Sequence, residues 1–140
     1  MTAPLAIYLH WPFCERVCPY CDFKVRTAED VDQTRWRDAF LREAAHFAAE
    51  FSDRTISSIF FGGGTPSLME PGTVAGIISG IQDLWTVSES LEVSIESNVS
   101  PAEAKKFEAF RSAGVNRLSL GVQSLDDDAL KFLGREHTAT

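Results

Sequence analysis

Residues 14–21 read Cys-Glu-Arg-Val-Cys-Pro-Tyr-Cys and hold all three cysteines of the 140-residue chain. They closely follow residues 5–10 (LAIYLH), a nearly continuous apolar run that is typical of a buried parallel strand. Three cysteines in eight residues do not form a disulfide framework, because the count is odd and close neighbours rarely suit disulfide geometry. Converging thiols favour a metal site, and Cys thiolates are the usual ligands of iron–sulfur clusters.

Two kinds of metal site are compatible with this loop. A four-iron cluster held by three cysteines leaves one iron open to a substrate or cofactor. Alternatively, His10 or Asp22 could complete a structural zinc site, since three Cys and one His form an ordinary zinc ligand set. Zinc ligands usually come as two separated pairs, which this loop lacks, so the spacing favours the iron–sulfur cluster.

The overall composition is that of an ordinary globular domain. The formal net charge of −7 gives no basic face for nucleic acid, so we expect no nucleic-acid partner. No apolar run approaches the roughly 18 residues of a membrane span. We expect no secretory signal, because the first residues show no basic region followed by an apolar stretch. Clustered cysteines without a disulfide pattern suit a reducing compartment, which predicts a cytoplasmic protein.

The chain alternates between strand and helix patterns about four times. We predict strands at 5–10, 56–61, 91–96 and within 115–122, and helices at about 34–51, 70–85, 101–114 and 126–133. In the first helix an aromatic stripe is predicted to pack into the core, and it consists of Trp36, Phe40, Phe47 and Phe51. The alternation predicts an α/β fold with a parallel sheet and right-handed crossovers. Four units fit either an open doubly wound sheet or part of a barrel.

The last residues, 135–140, follow a short helical pattern without a closing element. A complete (β/α)₈ barrel needs roughly 250 residues. We therefore expect residues 1–140 to be the N-terminal part of a larger core domain, an incomplete barrel whose C-terminal region is absent.

Four motifs together resemble a known family. They are C-x-x-x-C-x-x-C at 14–21 with its flanks at 8–13 and 22–23, Gly-Gly-Gly-Thr-Pro at 62–66, the glutamate at 96, and Leu-Ser-Leu-Gly-Val-Gln-Ser at 118–124. The cysteine motif resembles the radical S-adenosylmethionine (SAM) superfamily. The combination is similar to the oxygen-independent coproporphyrinogen III oxidase family and its HemW-type heme chaperone branch. This resemblance implies a (β/α)₆ partial TIM barrel.

The resemblance also implies the site residues. Cys14, Cys18 and Cys21 would ligate a [4Fe-4S] cluster whose fourth iron is chelated by SAM. The implied SAM contacts are Tyr8, Tyr20, Gly63, Gly64, Thr65, Glu96, Gln123 and Arg135.

Each of these residues also has a purely structural interpretation. The glycines could form only a sharp turn, Glu96 could cap a helix or form a salt bridge, and Arg135 could be solvated. Tyr20 could simply shield the cluster from water. Tyr8 alternates along the first strand with His10, for which a satisfied core position is the simpler interpretation.

The implied chemistry is reductive cleavage of SAM to methionine and a 5′-deoxyadenosyl radical, with an electron donor such as a flavodoxin or ferredoxin. Oxidases of the family typically carry a further cysteine two residues after the third ligand, where this chain has Phe23. That difference favours a heme chaperone, with heme and a hemoprotein recipient as partners. The alternative is an enzyme acting on coproporphyrinogen III in porphyrin biosynthesis, and a third possibility is an inactive fragment.

Overall fold

The computed structural model describes residues 3–27 and 29–140. The strands are β1 (Leu5–Trp11), β2 (Phe13–Cys14), β3 (Arg26–Thr27), β4 (Thr55–Gly63), β5 (Thr86–Ser97) and β6 (Arg117–Leu120). The helices are α1 (Gln33–Glu50), α2 (Pro71–Leu84), α3 (Pro101–Ala104), α4 (Phe107–Ser112) and α5 (Asp127–Phe132), with a 3-10 turn at Pro66–Leu68. Across these ranges no helix is long and apolar enough to cross a bilayer.

The main sheet has four parallel strands in the order β1-β4-β5-β6. Because all four run the same way, their carboxyl ends meet at one edge of the sheet. The register aligns Trp11 with Gly63, and Glu96 with Ser119. The predicted parallel α/β sheet is therefore confirmed, and the predicted motifs lie at its carboxyl edge.

The core lies between one face of this sheet and the helices α1 and α2. Alternate strand residues point into it from the sheet, and residues of α2 pack against them. Five of these side chains have no exposed surface: Ile56, Ile59 and Phe61 on β4, and Ile77 and Ile81 on α2. Burying such side chains contributes roughly 1.5–3 kcal/mol each to folding. The opposite face carries Tyr8, Phe60, Glu96 and Arg117 in the registered positions, so it is polar and aromatic.

The structure differs from the sequence prediction in several places. The predicted helix over 101–114 is split into α3 and α4, which meet at a turn at Lys105 and Lys106. The short pair β2 and β3 was not predicted, and β5 begins at Thr86. The prediction that Phe47 packs into the core is wrong, because this ring is 44% exposed.

Asn116 fixes the start of β6 against β5. Its backbone N–H donates to the Val93 carbonyl at 2.9 Å. Its side-chain Oδ1 accepts from the Val93 N–H at 2.8 Å, and its Nδ2 donates to the Leu91 carbonyl at 2.8 Å. The side-chain amide of Asn116 therefore satisfies two backbone groups of β5, at Val93 and Leu91, just before the regular pairing of β5 with β6 begins.

Replacing Asn116 with Ala leaves the amide of buried Val93 without its acceptor. The expected loss in the free energy of unfolding is about 1–3 kcal/mol, the usual cost of an unsatisfied buried group. Asn116→Asp keeps that acceptor but sets a carboxylate oxygen against the Leu91 carbonyl, so comparing it with the Ala variant separates the loss of the Val93 acceptor from the loss of the Leu91 donor. Urea unfolding of the three proteins measures the difference, and equal midpoints for Ala and wild type would contradict this role.

Candidate functional site

The three cysteines lie in a loop at the carboxyl end of β1. Pro12 ends that strand, and the loop closes where β2 pairs with β3. All three cysteines lie in the described part of the chain and form no disulfide, and Cys14 is the most buried of them. Burial raises the pKa of the Cys14 thiol, a hydrogen bond with Thr65 opposes this shift, and the nearby Cys21 and Cys18 raise it further. The three thiols are therefore close enough to interact electrostatically.

The glycine turn after β4 packs directly against this loop. The Gly64 N–H donates to the Trp11 carbonyl at 2.6 Å, and the Thr65 N–H donates to the Phe13 carbonyl at 2.8 Å. A Cβ placed on Gly64 would lie 2.5 Å from the Phe13 carbonyl oxygen and 3.0 Å from Cys14 Sγ. Only glycine fits at that position, because the turn approaches both a backbone and a thiol.

Glu96 connects the glycine turn to β5. Its Oε2 accepts from the Gly63 N–H at 3.1 Å, and Gly63 has a φ of +109°, in the left-handed region. Burial raises the pKa of Tyr8, and the charge of Glu96 raises it further, so the two side chains lie near each other on the polar face. The interpretation of Glu96 as a helix cap is not supported, because its bond is to the glycine turn.

Arg135 reaches back to the cysteine loop. Its Nη2 donates to Asn98 Oδ1 at 3.0 Å and to the Gly121 carbonyl at 2.8 Å, while Nη1 lies 3.8 Å from Cys18 Sγ. Its Nε is buried and has no hydrogen-bond partner among the described residues. A solvated arginine would not be held in this way, so that interpretation is wrong.

Tyr20 belongs to the cysteine loop, between Cys18 and Cys21, and its phenol interacts with Arg135. Burial raises the pKa of its phenol most, contact with Cys18 raises it further, and Arg135 lowers it. The ring is 43% exposed, so it covers the loop only in part. The phenol therefore lies beside both Cys18 and the Arg135 guanidinium, an arrangement that fits a binding role and a shielding role equally well.

Gln123 follows β6 in an uncommon backbone conformation. Its φ of 68° is the only left-handed value among the described non-glycine residues. Such conformations are found preferentially at functional sites, because the surrounding structure must hold them. The ring of His137 contacts the Val122 carbonyl at 3.0 Å and thereby supports this turn.

A cavity of about 300 Å³ opens at the carboxyl edge. It is lined by Gly64, Thr65, Glu96, Ser97, Asn98, Ser119, Leu120, Gly121 and Gln123. A larger groove of about 510 Å³ runs between β1 and α1, is mostly apolar, and is lined by Tyr8. Neither of these two cavities is lined by a cysteine. The smaller cavity is the more polar of the two, and one of its lining residues, Gly64, packs against Cys14.

Sequence reasoning missed Asn98. Its Oδ1 accepts from Arg135, and its Nδ2 lies 3.4 Å from Thr65 Oγ1, so it joins the glycine turn to the last segment of the chain. The available signal was a polar amide two residues after Glu96. His10 lies at the loop rather than in the core, with its Nε2 3.2 Å from the Lys24 carbonyl.

A zinc site needs four ligands converging on a single point, about 2.3 Å from the metal for sulfur. Among the described residues, no group of three His, Cys, Asp or Glu side chains is arranged to hold one ion. The zinc alternative therefore gains no support from the geometry. A four-iron cluster does not require this convergence, because each thiolate binds a different iron.

Comparison with known proteins identifies relatives of nearly the whole chain. The sequence model of the Radical SAM superfamily matches residues 8–140. The chain is 42% identical over 134 residues to radical S-adenosyl methionine domain-containing protein 1, mitochondrial, from Bos taurus, covering 96% of this chain and 30% of that protein. It is 36% identical over 135 residues to heme chaperone HemW from Escherichia coli, covering 96% and 36%.

The solved structure of coproporphyrinogen III oxidase (HemN) from Escherichia coli, described as a radical SAM enzyme, has the same fold. The TM-score is 0.83 at 28% identity, over 96% of this chain and 31% of that one. This match confirms the α/β radical SAM fold, consistent with a partial barrel. The chain spans about a third of the length of the curated relatives it matches.

Replacing Gly64 with Ala should displace Phe13 and Cys14, because the new methyl group overlaps a backbone carbonyl. Such overpacking costs about 1–3 kcal/mol, so the melting temperature should fall and Cys14 should react faster with a thiol reagent. Gly72→Ala is the matched control, since nothing lies within 4 Å of its Cβ position. If both variants behaved like wild type in melting and thiol titration, the close packing at Gly64 would be wrong.

Proposed function

Because this chain belongs to the radical SAM superfamily, we propose that Cys14, Cys18 and Cys21 hold a [4Fe-4S] cluster beside bound SAM. The observation that carries the proposal is the packing of the three-thiol loop on the glycine turn, at the edge where Glu96 and Arg135 converge. Parallel α/β folds build their ligand sites at this edge.

Two features of the chain fit such a ligand. The glycine turn presents bare backbone next to Cys14 and leaves no room for a side chain. The buried Nε of Arg135 is a donor without an acceptor among the described residues, and a SAM carboxylate would supply one. Both features lie within reach of the thiols, since Arg135 Nη1 is 3.8 Å from Cys18 Sγ.

The residues at this edge would divide the work of binding. The backbone of 63–65 would receive the SAM amino group, and Glu96 would accept from the ribose hydroxyls through the oxygen that Gly63 does not use. Arg135 and Gln123 would bind the remaining polar groups, while Tyr20 and Tyr8 would bound the site and exclude water. When bound and reduced, the cluster held by Cys14, Cys18 and Cys21 would supply the electron for cleavage of the S–C5′ bond of SAM.

We further propose that the protein acts as a HemW-type heme chaperone. Bacterial relatives carry that name, and Phe23 stands where oxidases of the family typically have a further cysteine. Phe23 is 58% exposed on the loop and offers no metal ligand. Its partners would be heme, a hemoprotein recipient and an electron donor such as a flavodoxin or ferredoxin.

The alternative is a coproporphyrinogen III oxidase, which the structural match to such an enzyme favours. Measuring heme transfer to an apo-hemoprotein against decarboxylation of coproporphyrinogen III separates the two functions. We propose a reducing compartment for the protein. The cytoplasm is such a compartment, while the animal relatives are named as mitochondrial.

The first test is spectroscopic. Protein reconstituted without oxygen should bind about four irons, and SAM should change the electron paramagnetic resonance spectrum of the reduced cluster. Cys18→Ala should abolish cluster assembly, whereas Val17→Ala in the same loop should not, because its exposed side chain ligates nothing. Iron and sulfide at wild-type stoichiometry in Cys18→Ala would exclude Cys18 as a ligand.

Replacing Glu96 with Gln should leave the cluster intact and weaken SAM binding. Hydrogen bonds to charged groups contribute about 1.5–3 kcal/mol, so the dissociation constant should rise about ten- to a hundredfold. Glu89→Gln, an exposed position on the same strand, is the control. Calorimetric titration with SAM measures the change, and equal affinities of the two variants would remove Glu96 from the site.

A further inference from the structure

Arg16 joins the cysteine loop to a segment more than a hundred residues further along the chain. It lies between Cys14 and Cys18, and its Nη2 donates to the Gly134 carbonyl. Its Nη1 pairs with Glu136 Oε1 at 3.0 Å. The Arg16 guanidinium therefore binds the residues immediately before and after Arg135.

The backbone at this point is already shaped to meet the loop. Gly134 lies two residues after the end of α5 and has a φ of +69°, and a Cβ there would lie 3.4 Å from Pro19 Cδ. The Arg135 N–H donates to the Leu130 carbonyl at 2.8 Å, which ties the turn to the helix. The backbone path of residues 134–136 across the cysteine loop thus fixes the position of the Arg135 Cα, from which the side chain extends.

Arg135 must satisfy several partners at once. Its guanidinium contacts Asn98, the Gly121 carbonyl and Cys18 Sγ, which belong to three different parts of the site. Arg135 Nε is the orphan donor that we assign to SAM. A small shift of the 134–136 backbone would move that donor, because the other bonds leave the side chain little freedom.

We propose that Arg16 is a positioning residue for SAM binding: it clamps residues 134–136 onto the cysteine loop and so holds Arg135 in place. The inference rests on the proposed function, since SAM is the group that Arg135 serves. The Arg16–Glu136 pair is exposed, with side chains 50% and 82% accessible. Exposed pairs add little to global stability, so the clamp should affect ligand binding more than folding.

The test uses the reconstituted protein with Arg16 changed to Gln. Iron content and melting temperature should match wild type, while the dissociation constant for SAM should rise about three- to tenfold. The SAM-dependent change in the electron paramagnetic resonance spectrum should need correspondingly more SAM. Arg16→Lys should restore part of the affinity, because an ammonium can bind one acceptor but lacks the fork that reaches both.

Arg42→Gln is the matched control, an exposed arginine on α1. Unchanged SAM affinity in Arg16→Gln would overturn the proposal. Loss of the cluster in that variant would also overturn it, because Arg16 would then act on the loop itself rather than through Arg135.

A second measurement separates this proposal from the proposed function. Amide hydrogen exchange in the ligand-free protein should be faster at residues 134–137 in Arg16→Gln than in wild type or Arg42→Gln. If wild type bound neither cluster nor SAM, the proposed function would fail, and the exchange result would still decide whether the clamp exists. Equal exchange in all three proteins would overturn the clamp.

Discussion

Two backbone hydrogen bonds hold the candidate site together: Gly64 N–H to the Trp11 carbonyl, and Thr65 N–H to the Phe13 carbonyl. They continue the parallel pairing of β1 and β4 past Pro12, where the regular ladder ends. The chain can make them only because Gly64 has no side chain to meet Phe13 and Cys14. The position of the first thiol therefore depends on a residue fifty positions away, and the other contacts of the site build on that junction.

From this junction the site extends by single polar links rather than by apolar packing. Glu96 binds the Gly63 amide, Asn98 reaches Thr65, and Arg135 connects Asn98 to Cys18. Each link ends at a different strand or loop, so the carboxyl ends of the strands are coupled through side chains. Buried polar networks are costly when incomplete, and the buried Nε of Arg135 has no hydrogen-bond partner among the residues that the structure describes.

The alternation of strands and helices was predictable because a buried parallel strand and an amphipathic helix have distinct periodicities. The pair β2 and β3 was not, since two residues carry no periodic signal. The split between α3 and α4 was also missed, because the apolar spacing continues across Lys105 and Lys106. The predicted burial of Phe47 was wrong for a related reason. Periodicity identifies the apolar face of a helix, but it does not show how much of that face the neighbouring elements cover.

The candidate site, like the fold, combines features that local sequence patterns predict with features that they do not. The cysteine spacing and the glycine run are local signals, and they pointed to the loop and the turn that the fold brings together. Arg16 gave no such signal, because its partner Gly134 is 118 residues away. Asn98 offered only its place two residues after Glu96, because its partner Arg135 is 37 residues away. The polar face of the sheet also depends on side-chain contacts between neighbouring strands. Phe60 and Tyr8 stack there, and Arg117 pairs with Glu92 at 2.9 Å, so this face is polar and aromatic rather than a packed core.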